Sequence, residues 1–288
     1  MYKLTPLDFL RQVLPEPAEG RHYYIVDIEP KYKVKKRKNS RAKIVHYSSN
    51  TIEGIIEKAN KIDGQGSNAY FALANFDATN EEYIKIKEKS NGQKGRQAKF
   101  ASHIKCLFLD IDVGKEKNAY EDDATAVSEL GRVCSIAKLP HPTINRSGNG
   151  LHAYWVFDKP VDIDTWSGLA LDFKSLVEKH GLIIDPQIPT DAARILRVLG
   201  TGNYNDGDKK DVKNIFYNED DLKSFEEFRE IIPRINKPVF NLQRPKNAPV
   251  VDKATKTILE NSASRFSEIL DKSIKGEGCN QIKASYEN

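Results

Sequence analysis

The feature that most constrains this chain is an apolar segment, residues 104–113, that carries two acids. Its β-branched and aromatic residues predict a strand, in which alternate side chains share a face. Asp110 and Asp112 therefore lie on one face, with Cα atoms about 6.5–7 Å apart. Like charges at that distance repel unless a cation neutralises them, and Mg²⁺ or Mn²⁺ prefers carboxylate oxygen. The alternative is an amphipathic strand whose polar face meets water, since short acidic pairs are common.

Composition limits the classes to which the chain can belong. Its 288 residues suffice for one large domain or two small ones, and 39% are hydrophobic and 30% charged. No apolar run approaches the ~20 residues that span a bilayer, and Met1 to Arg11 lacks the layout of a signal peptide. The three cysteines form no C-x-x-C motif, which argues against a disulfide scaffold or a zinc ribbon. We therefore expect a cytoplasmic protein with no membrane partner.

Positive charge is concentrated in two stretches, although the net charge is only +4. Between Lys31 and Lys43 the chain carries eight lysines and arginines and no acid. A second basic stretch runs from Lys85 to Lys105. Either stretch alone is as consistent with a solvated loop as with nucleic-acid binding. The chemistry elsewhere in the chain must decide between the two.

Strands alternate with helices along the chain, which predicts a mixed α+β fold. Helices are predicted over residues 6–14, 51–62, 120–139, 163–180, 221–231 and 255–274. Strands are predicted over residues 22–28, 43–47, 68–76, 104–113, 143–146, 151–157 and 212–217. Four prolines between Pro233 and Pro249 predict an extended linker. We expect a mixed αβ region over 1–232, a proline-rich linker over 233–250 and a helical segment over 251–288.

A glycine-rich turn joins two of these strands. Ser147 to Gly150 is typical of a hairpin turn, because Asn and Gly tolerate positive φ. Glycines also let a phosphate approach backbone N–H groups closely. His152 follows the turn, on the face opposite Leu151 and Trp155. A lone histidine is most often structural, but this position after a glycine turn favours a polar ligand.

A third polar group lies further along the same αβ region. Asp185 ends a short apolar stretch, as an acid leaving a strand would, and Arg194 and Arg197 have the guanidinium geometry that suits phosphate. The alternative is that these arginines bridge to Asp191 on the surface. Gly200 to Asn203 is a turn that suits a phosphate or a sugar hydroxyl, or is a turn only. Together, three carboxylates, a histidine, a glycine turn and two arginines are the groups that two-metal nucleotidyl transfer requires.

These motifs, in this order, resemble those of the archaeo-eukaryotic primase superfamily, specifically the phage and plasmid primase-polymerases with RepB-like primase domains. Asp110 to Asp112 resembles the first motif, Ser147 to His152 the second, and Ile184-Asp185 the third. The run from Arg194 to Asn203 resembles the RxLRxPGTxN sequence of these relatives, with Leu199 where proline is usual.

The resemblance covers residues 68–217 and implies that residues 1–232 form a primase-polymerase catalytic domain, with an RRM-like catalytic sheet after an N-terminal αβ module. It also implies that the helical segment over 251–288, after the linker, begins a further domain. The implied function is template-directed synthesis: primers made or extended on single-stranded DNA from nucleoside triphosphates, in phage or plasmid replication. The implied cofactor is Mg²⁺ or Mn²⁺. The resemblance also implies a helicase domain in a full-length chain of which this sequence is the N-terminal part.

The resemblance further implies roles for individual residues. The catalytic, metal-binding acids are expected to be Asp110, Asp112 and Asp185, with Asp191 as the alternative third acid. Contacts to the nucleoside triphosphate are expected from Ser147, Gly148, Gly150, His152, Arg194, Arg197 and Asn203. Contacts to DNA are expected from Lys35, Lys36, Arg37, Lys38 and Arg96.

Two other classes of function stay open. One is a non-catalytic replication-initiator module, whose DNA binding would survive Asp110→Ala. The other is a different divalent-metal enzyme. A nuclease would degrade DNA with metal alone, whereas a D-x-D glycosyltransferase would have little use for the basic stretches.

Overall fold

A computed structural model describes residues 4–36, 41–115, 118–218 and 222–235. Arg37, Lys38, the helix predicted over 255–274 and all but the first residues of the linker predicted over 233–250 lie outside these ranges. The expected division into a catalytic domain, a linker and a further domain therefore stays a prediction.

Side-chain caps begin most of the seven helices in the described ranges. The helices are α1 (Pro6–Val13), α2 (Lys31–Lys35), α3 (Ile52–Gly64), α4 (Glu81–Lys89), α5 (Asp123–Ala137), α6 (Ile163–Lys179) and α7 (Phe225–Ile231). Thr5, Thr51 and Asp122 each accept a hydrogen bond from the backbone N–H three residues ahead, which satisfies a donor that the helix leaves free. None of these helices has the length and apolar content that crossing a bilayer requires.

Nine of the strands in the described ranges form one sheet. The strands are β1 (Arg21–Ile28), β2 (Ile44–Ser49), β3 (Asn68–Ala72), β4 (Ala74–Asp77), β5 (Ala101–Asp112), β6 (Thr143–Arg146), β7 (Gly150–Asp162), β8 (Ile195–Arg197), β9 (Gly202–Asn203), β10 (Lys210–Asp211) and β11 (Lys213–Phe216). The order in the sheet is β11-β6-β7-β5-β4-β1-β3-β8, with β2 also paired to β1, while β9 and β10 pair separately. Every pairing of these strands is antiparallel, and the predicted α+β class is confirmed.

The part of the chain that carries Asp110 and His152 follows the order β5-α5-β6-β7-α6, with β7 between β5 and β6 in the sheet. Aromatic side chains fix helices to both faces of β7. Tyr154 contacts Phe9 of α1 with ring centroids 5.1 Å apart, and the next residue, Trp155, contacts Phe173 of α6 at 4.9 Å. Successive strand residues point to opposite faces, so α1 and α6 cover opposite faces at this point. The end of β5, with Asp110 and Asp112, and the start of β7, with His152, are therefore attached to a core packed with aromatic side chains.

The single strand predicted over residues 68–76 is instead two strands, because Leu73 interrupts it. β3 pairs with β1 and β8, whereas β4 pairs with the start of β1 and with β5. At the break, the N–H of Leu73 donates to the carbonyl oxygen of Arg194 at 3.2 Å. The segment that leads into β8 therefore lies next to the break between β3 and β4, and its Arg194 comes close to Asp110 of β5.

Other local predictions differ from the structure. The basic segment after Pro30 contains α2, and α4 forms where no element was predicted, although Asn80 provides a clear cap for it. No strand forms around Asp185; the N–H of Ile183 donates instead to the hydroxyl of Tyr120 at 2.9 Å. Short, charged helices and a loop fixed by a distant side chain leave little trace in local sequence patterns.

Candidate active site

The register between β5 and β7 places Asp110 directly opposite His152, with 3.7 Å between Asp110 Oδ1 and His152 Nε2. Burial, together with the charges of Arg197 and Arg194, lowers the pKa of His152 to about 3, so the imidazole is neutral at physiological pH. The Asp110 side chain is only 21% exposed. Burial raises the pKa of its carboxyl to about 6, against the lowering effect of both arginines, and nearby Asp185 also raises it. The site therefore holds a carboxylate whose ionised form is disfavoured.

Two arginines surround this carboxylate. Nη2 of Arg194 lies 3.6 Å from Oδ2 of Asp110, and the buried Nε of Arg194 has no hydrogen-bond partner among the described residues. Nη1 of Arg197 donates to Oδ1 of Asn68 at 2.9 Å, and its guanidinium lies 4.6 Å from the ring centroid of Tyr70. A cationic group with an unsatisfied donor suits a phosphate, which accepts several charge-assisted hydrogen bonds.

Arg96, expected to contact DNA, lies half-buried near Arg194. Its guanidinium donates to the carbonyl oxygen of Ala193, and its buried Nε has no hydrogen-bond partner in the described ranges. Burial lowers the pKa of Arg96, with Asp191 opposing this effect and Arg194 adding to it. Arg96 thus fixes the segment that carries Arg194, and its contact with DNA stays a prediction.

The glycine turn between β6 and β7 packs against the turn that contains Asn203. The N–H of Ser147 donates to the carbonyl of Gly150 at 2.8 Å, and Nδ2 of Asn203 donates to the carbonyl of Ser147 at 3.3 Å. Gly148 has φ +97°, and a Cβ at that position would lie 2.7 Å from Cβ of Asn203. Only glycine therefore fits here without displacing Asn203. The structure brings these four predicted nucleotide-binding residues together.

The other acids are less enclosed than Asp110. Asp112 is exposed at the end of β5, opposite Gly150 in the register. Asp185 is exposed, and its Oδ1 accepts a hydrogen bond from the N–H two residues ahead at 3.0 Å; Asp191 accepts an equivalent bond at 2.9 Å. No group of three His, Cys, Asp or Glu side chains within the described ranges has an arrangement that would hold a metal ion. The carboxylates nevertheless fit a hard cation by donor type, and the disfavoured charge of Asp110 is one that a cation would stabilise.

Of the predicted DNA-binding lysines, Lys35 ends α2 and Lys36 is its C-cap. Lys35 and Lys36 are exposed. The ammonium groups of Lys33 and Lys36 lie 5.8 and 5.4 Å from the ring centroid of Tyr32. An aromatic ring among lysines is a common element of surfaces that bind single-stranded nucleic acid. Nothing in the structure tests the DNA contacts themselves.

Asn68 and Tyr70 are site residues that the sequence analysis did not identify. Asn68 is fully buried, and its Oδ1 accepts hydrogen bonds from Arg197 and from the N–H of Tyr204, both at 2.9 Å. A signal was available: Asn68 is a polar residue in an otherwise apolar strand, two residues from Tyr70 and therefore on the same face.

Among solved structures, the AEP domain of the primase-polymerase of cyanophage S-2L aligns with 74% of this chain and 90% of its own length, with a TM-score of 0.50 and 18% identity. Primase RepB′ aligns with TM-score 0.39 and 8% identity over 93% of this chain and 65% of its own. Its catalytic domain, solved in complex with initiator DNA, aligns with TM-score 0.40 and 9% identity over 74% and 86%. No protein-family model and no curated protein sequence matches the chain.

The fold assignment rests on the cyanophage structure, which is the most similar of these three. The chain has the fold of the AEP domain of that primase-polymerase, so the fold that the resemblance implied is confirmed. The residues that carried that resemblance, on β5, β7 and the segment leading into β8, lie at one site.

Replacing Asp110 should stabilise the metal-free protein at neutral to alkaline pH. Since the carboxyl's pKa rises from its ordinary 3.8 to about 6 on folding, the unfolded chain ionises first, and stability is lost as pH rises through this interval. In the presence of EDTA at pH 8, Asp110→Asn should raise the free energy of unfolding by about 1–3 kcal/mol, and the gain should disappear near pH 4. Urea unfolding at both pH values measures it; a variant less stable than the parent at pH 8 would contradict the assignment.

The contact between the two turns predicts that Gly148→Ala is more damaging than Gly207→Ala. Both glycines have positive φ, +97° and +108°, so each substitution costs about 1–2 kcal/mol of backbone strain. A Cβ at Gly207 meets nothing within 4 Å, whereas one at Gly148 pushes against Asn203 and should cost about 1–3 kcal/mol more. Thermal unfolding of both variants measures the difference, and equal losses would show that the turns are not in contact.

Proposed function

We propose that this chain is a template-directed nucleotidyltransferase that makes or extends primers on single-stranded DNA from nucleoside triphosphates, in phage or plasmid replication. The observation that carries the proposal is the position of Asp110 between neutral His152 and the guanidinium of Arg194, in a primase-type fold. A disfavoured carboxylate beside cationic groups is typical of a functional site rather than of a stabilising ion pair.

The cationic side chains account for triphosphate binding. Arg194 offers an unsatisfied Nε, and Arg197, held by Asn68 and Tyr70, presents a fixed positive charge. His152 is neutral, so one ring nitrogen donates and the other accepts, and it can donate to a phosphate oxygen without a preceding protonation. The Ser147–Gly150 turn contains two glycines, which let a phosphate approach its backbone closely.

The metal ions of the proposal are Mg²⁺ or Mn²⁺, held by Asp110, Asp112 and Asp185. Bound there, they would lower the pKa of the attacking hydroxyl and neutralise charge on the triphosphate. Asp185 is favoured over Asp191 because Asp185 is the acid that raises the pKa of Asp110, whereas Asp191 acts on Arg96. No protein general base is needed for this chemistry.

The basic helix supports a nucleic-acid substrate. Lys35 and Lys36 are exposed, and the ammonium groups of Lys33 and Lys36 lie near the aromatic ring of Tyr32. In sequence, Arg37 and Lys38 add two further positive charges. Phosphate contacts of this kind make affinity fall steeply as salt rises. A D-x-D glycosyltransferase has no evident use for such a surface, which favours the polymerase proposal over that alternative.

Nucleotide incorporation tests the proposal. The parent chain, given a single-stranded DNA template, labelled ribo- or deoxyribonucleoside triphosphates and Mg²⁺ or Mn²⁺, should form labelled product, and Asp110→Ala/Asp112→Ala should form none above background. Asp158→Ala, at an exposed position of the neighbouring strand β7, is the matched control and should retain the parent's activity.

The same assay separates the alternatives. Equal product from the parent and the double variant would remove the catalytic assignment. Shortening of the template with metal alone would indicate a nuclease. DNA binding by both proteins without product from either would indicate a non-catalytic initiator module.

A further inference from the structure

Asn205, in the loop after β9, anchors the amino end of the basic helix α2. Its Oδ1 accepts a hydrogen bond from the backbone N–H of Lys31 at 3.2 Å, and its carbonyl oxygen accepts one from the N–H of Tyr32 at 3.0 Å. Both donors lie in the first turn of α2, where a helix offers no internal acceptors. Since α2 begins after Pro30 with no side-chain cap of its own, these bonds from a distant segment stand in for the cap.

The same asparagine is tied to the nucleotide side of the site. Its N–H donates to Oδ1 of Asn203 at 3.1 Å, and Nδ2 of Asn203 donates to the carbonyl of Ser147 at 3.3 Å. Its Oδ1 also accepts from Nδ2 of Asn68 at 3.1 Å, and Oδ1 of Asn68 accepts from Arg197 at 2.9 Å. Two chains of hydrogen bonds therefore lead from Asn205, one to the glycine turn and one to a proposed phosphate-binding arginine.

The charge of α2 differs from that of other lysine-bearing helices. In α3, Lys61 pairs with Glu57 at 2.6 Å, and in α6, Lys174 pairs with Glu178 at 3.0 Å. Within the described ranges, no carboxylate forms an ion pair with the lysines of α2 and its C-cap, namely Lys31, Lys33, Lys35 and Lys36. Asp206 lies near Lys35 but pairs with Lys210 at 2.6 Å. This uncompensated charge suits a polyanionic partner.

We propose that Asn205 is a positioning residue that couples the binding of single-stranded DNA on α2 to the binding of triphosphate at the glycine turn and Arg197. The proposal rests on the proposed function, because it takes DNA and triphosphate as the two ligands. A triphosphate that fixes the turn and Arg197 also fixes Asn203, Asn68 and hence the orientation of α2. By thermodynamic linkage, DNA on α2 then tightens triphosphate binding by the same factor.

A DNA-binding titration of the parent chain tests this coupling. The affinity for a fluorescent oligothymidylate is measured in the presence of Mg²⁺, first alone and then with the non-incorporable α,β-imido analogue of ATP or dATP. We expect the analogues to tighten DNA binding by about fivefold or more in the parent. Asn205→Ala removes the acceptor shared by Lys31 and Asn68 but keeps the backbone bonds to Tyr32 and Asn203. The gain should fall below about twofold, since the side-chain route to Arg197 and most of the coupling free energy are lost.

Two further variants separate coupling from general damage. Asn80→Ala removes a comparable helix-capping asparagine, which accepts from Glu82 N–H and Tyr83 N–H at the start of α4, and should leave the parent's gain unchanged. Asn205→Asp keeps an oxygen acceptor for both donors and should restore the gain.

The outcomes distinguish this proposal from the proposed function. A parent that binds neither DNA nor triphosphate would overturn both. A parent that binds both ligands independently, or an Asn205→Ala variant that keeps the full gain while binding DNA more weakly, would overturn the coupling and leave the proposed function standing.

Discussion

An acid held in a position where its charge is disfavoured is the constraint around which this site is organised. Asp110 lies on β5, mostly buried, opposite a histidine of β7 that burial keeps neutral. Arg194 and Arg197 offset part of the cost, but not all of it. An ordinary buried ion pair would lower the pKa of its carboxyl, whereas here the pKa rises. The fold thus tolerates a local instability that a bound cation would remove.

The rest of the architecture positions groups around that acid. The break at Leu73 directs β3 towards β8 and brings Arg194 alongside, and Arg96 holds the carbonyl next to it. Gly148 allows the turn before β7 to contact Asn203. These contacts join segments far apart in the chain, so the positive charges and the glycine turn meet Asp110 from different directions. Side chains that are held on a rigid sheet by such contacts form a pre-organised site.

What was predictable from sequence is local. Alternation along a strand places Asp110 and Asp112 together, and a turn signal precedes His152, because both depend only on neighbouring residues. The break at Leu73 depends on which strand pairs with each half of a continuous apolar run, and the docking of α2 depends on Asn205, over 170 residues away. The break at Leu73 and the docking of α2 are determined by contacts with distant segments, which hydrophobic periodicity in the sequence does not reveal.

Binding of Mn²⁺ in the presence of triphosphate, measured by electron paramagnetic resonance, tests the central claim most directly. The account predicts that the parent binds Mn²⁺ and that Asp185→Asn weakens binding by about tenfold or more. Asp191→Asn, which keeps the acceptor for the N–H of Ala193, should bind as the parent does. Parent-like Mn²⁺ binding by Asp185→Asn, or loss of binding only in Asp191→Asn, would contradict it.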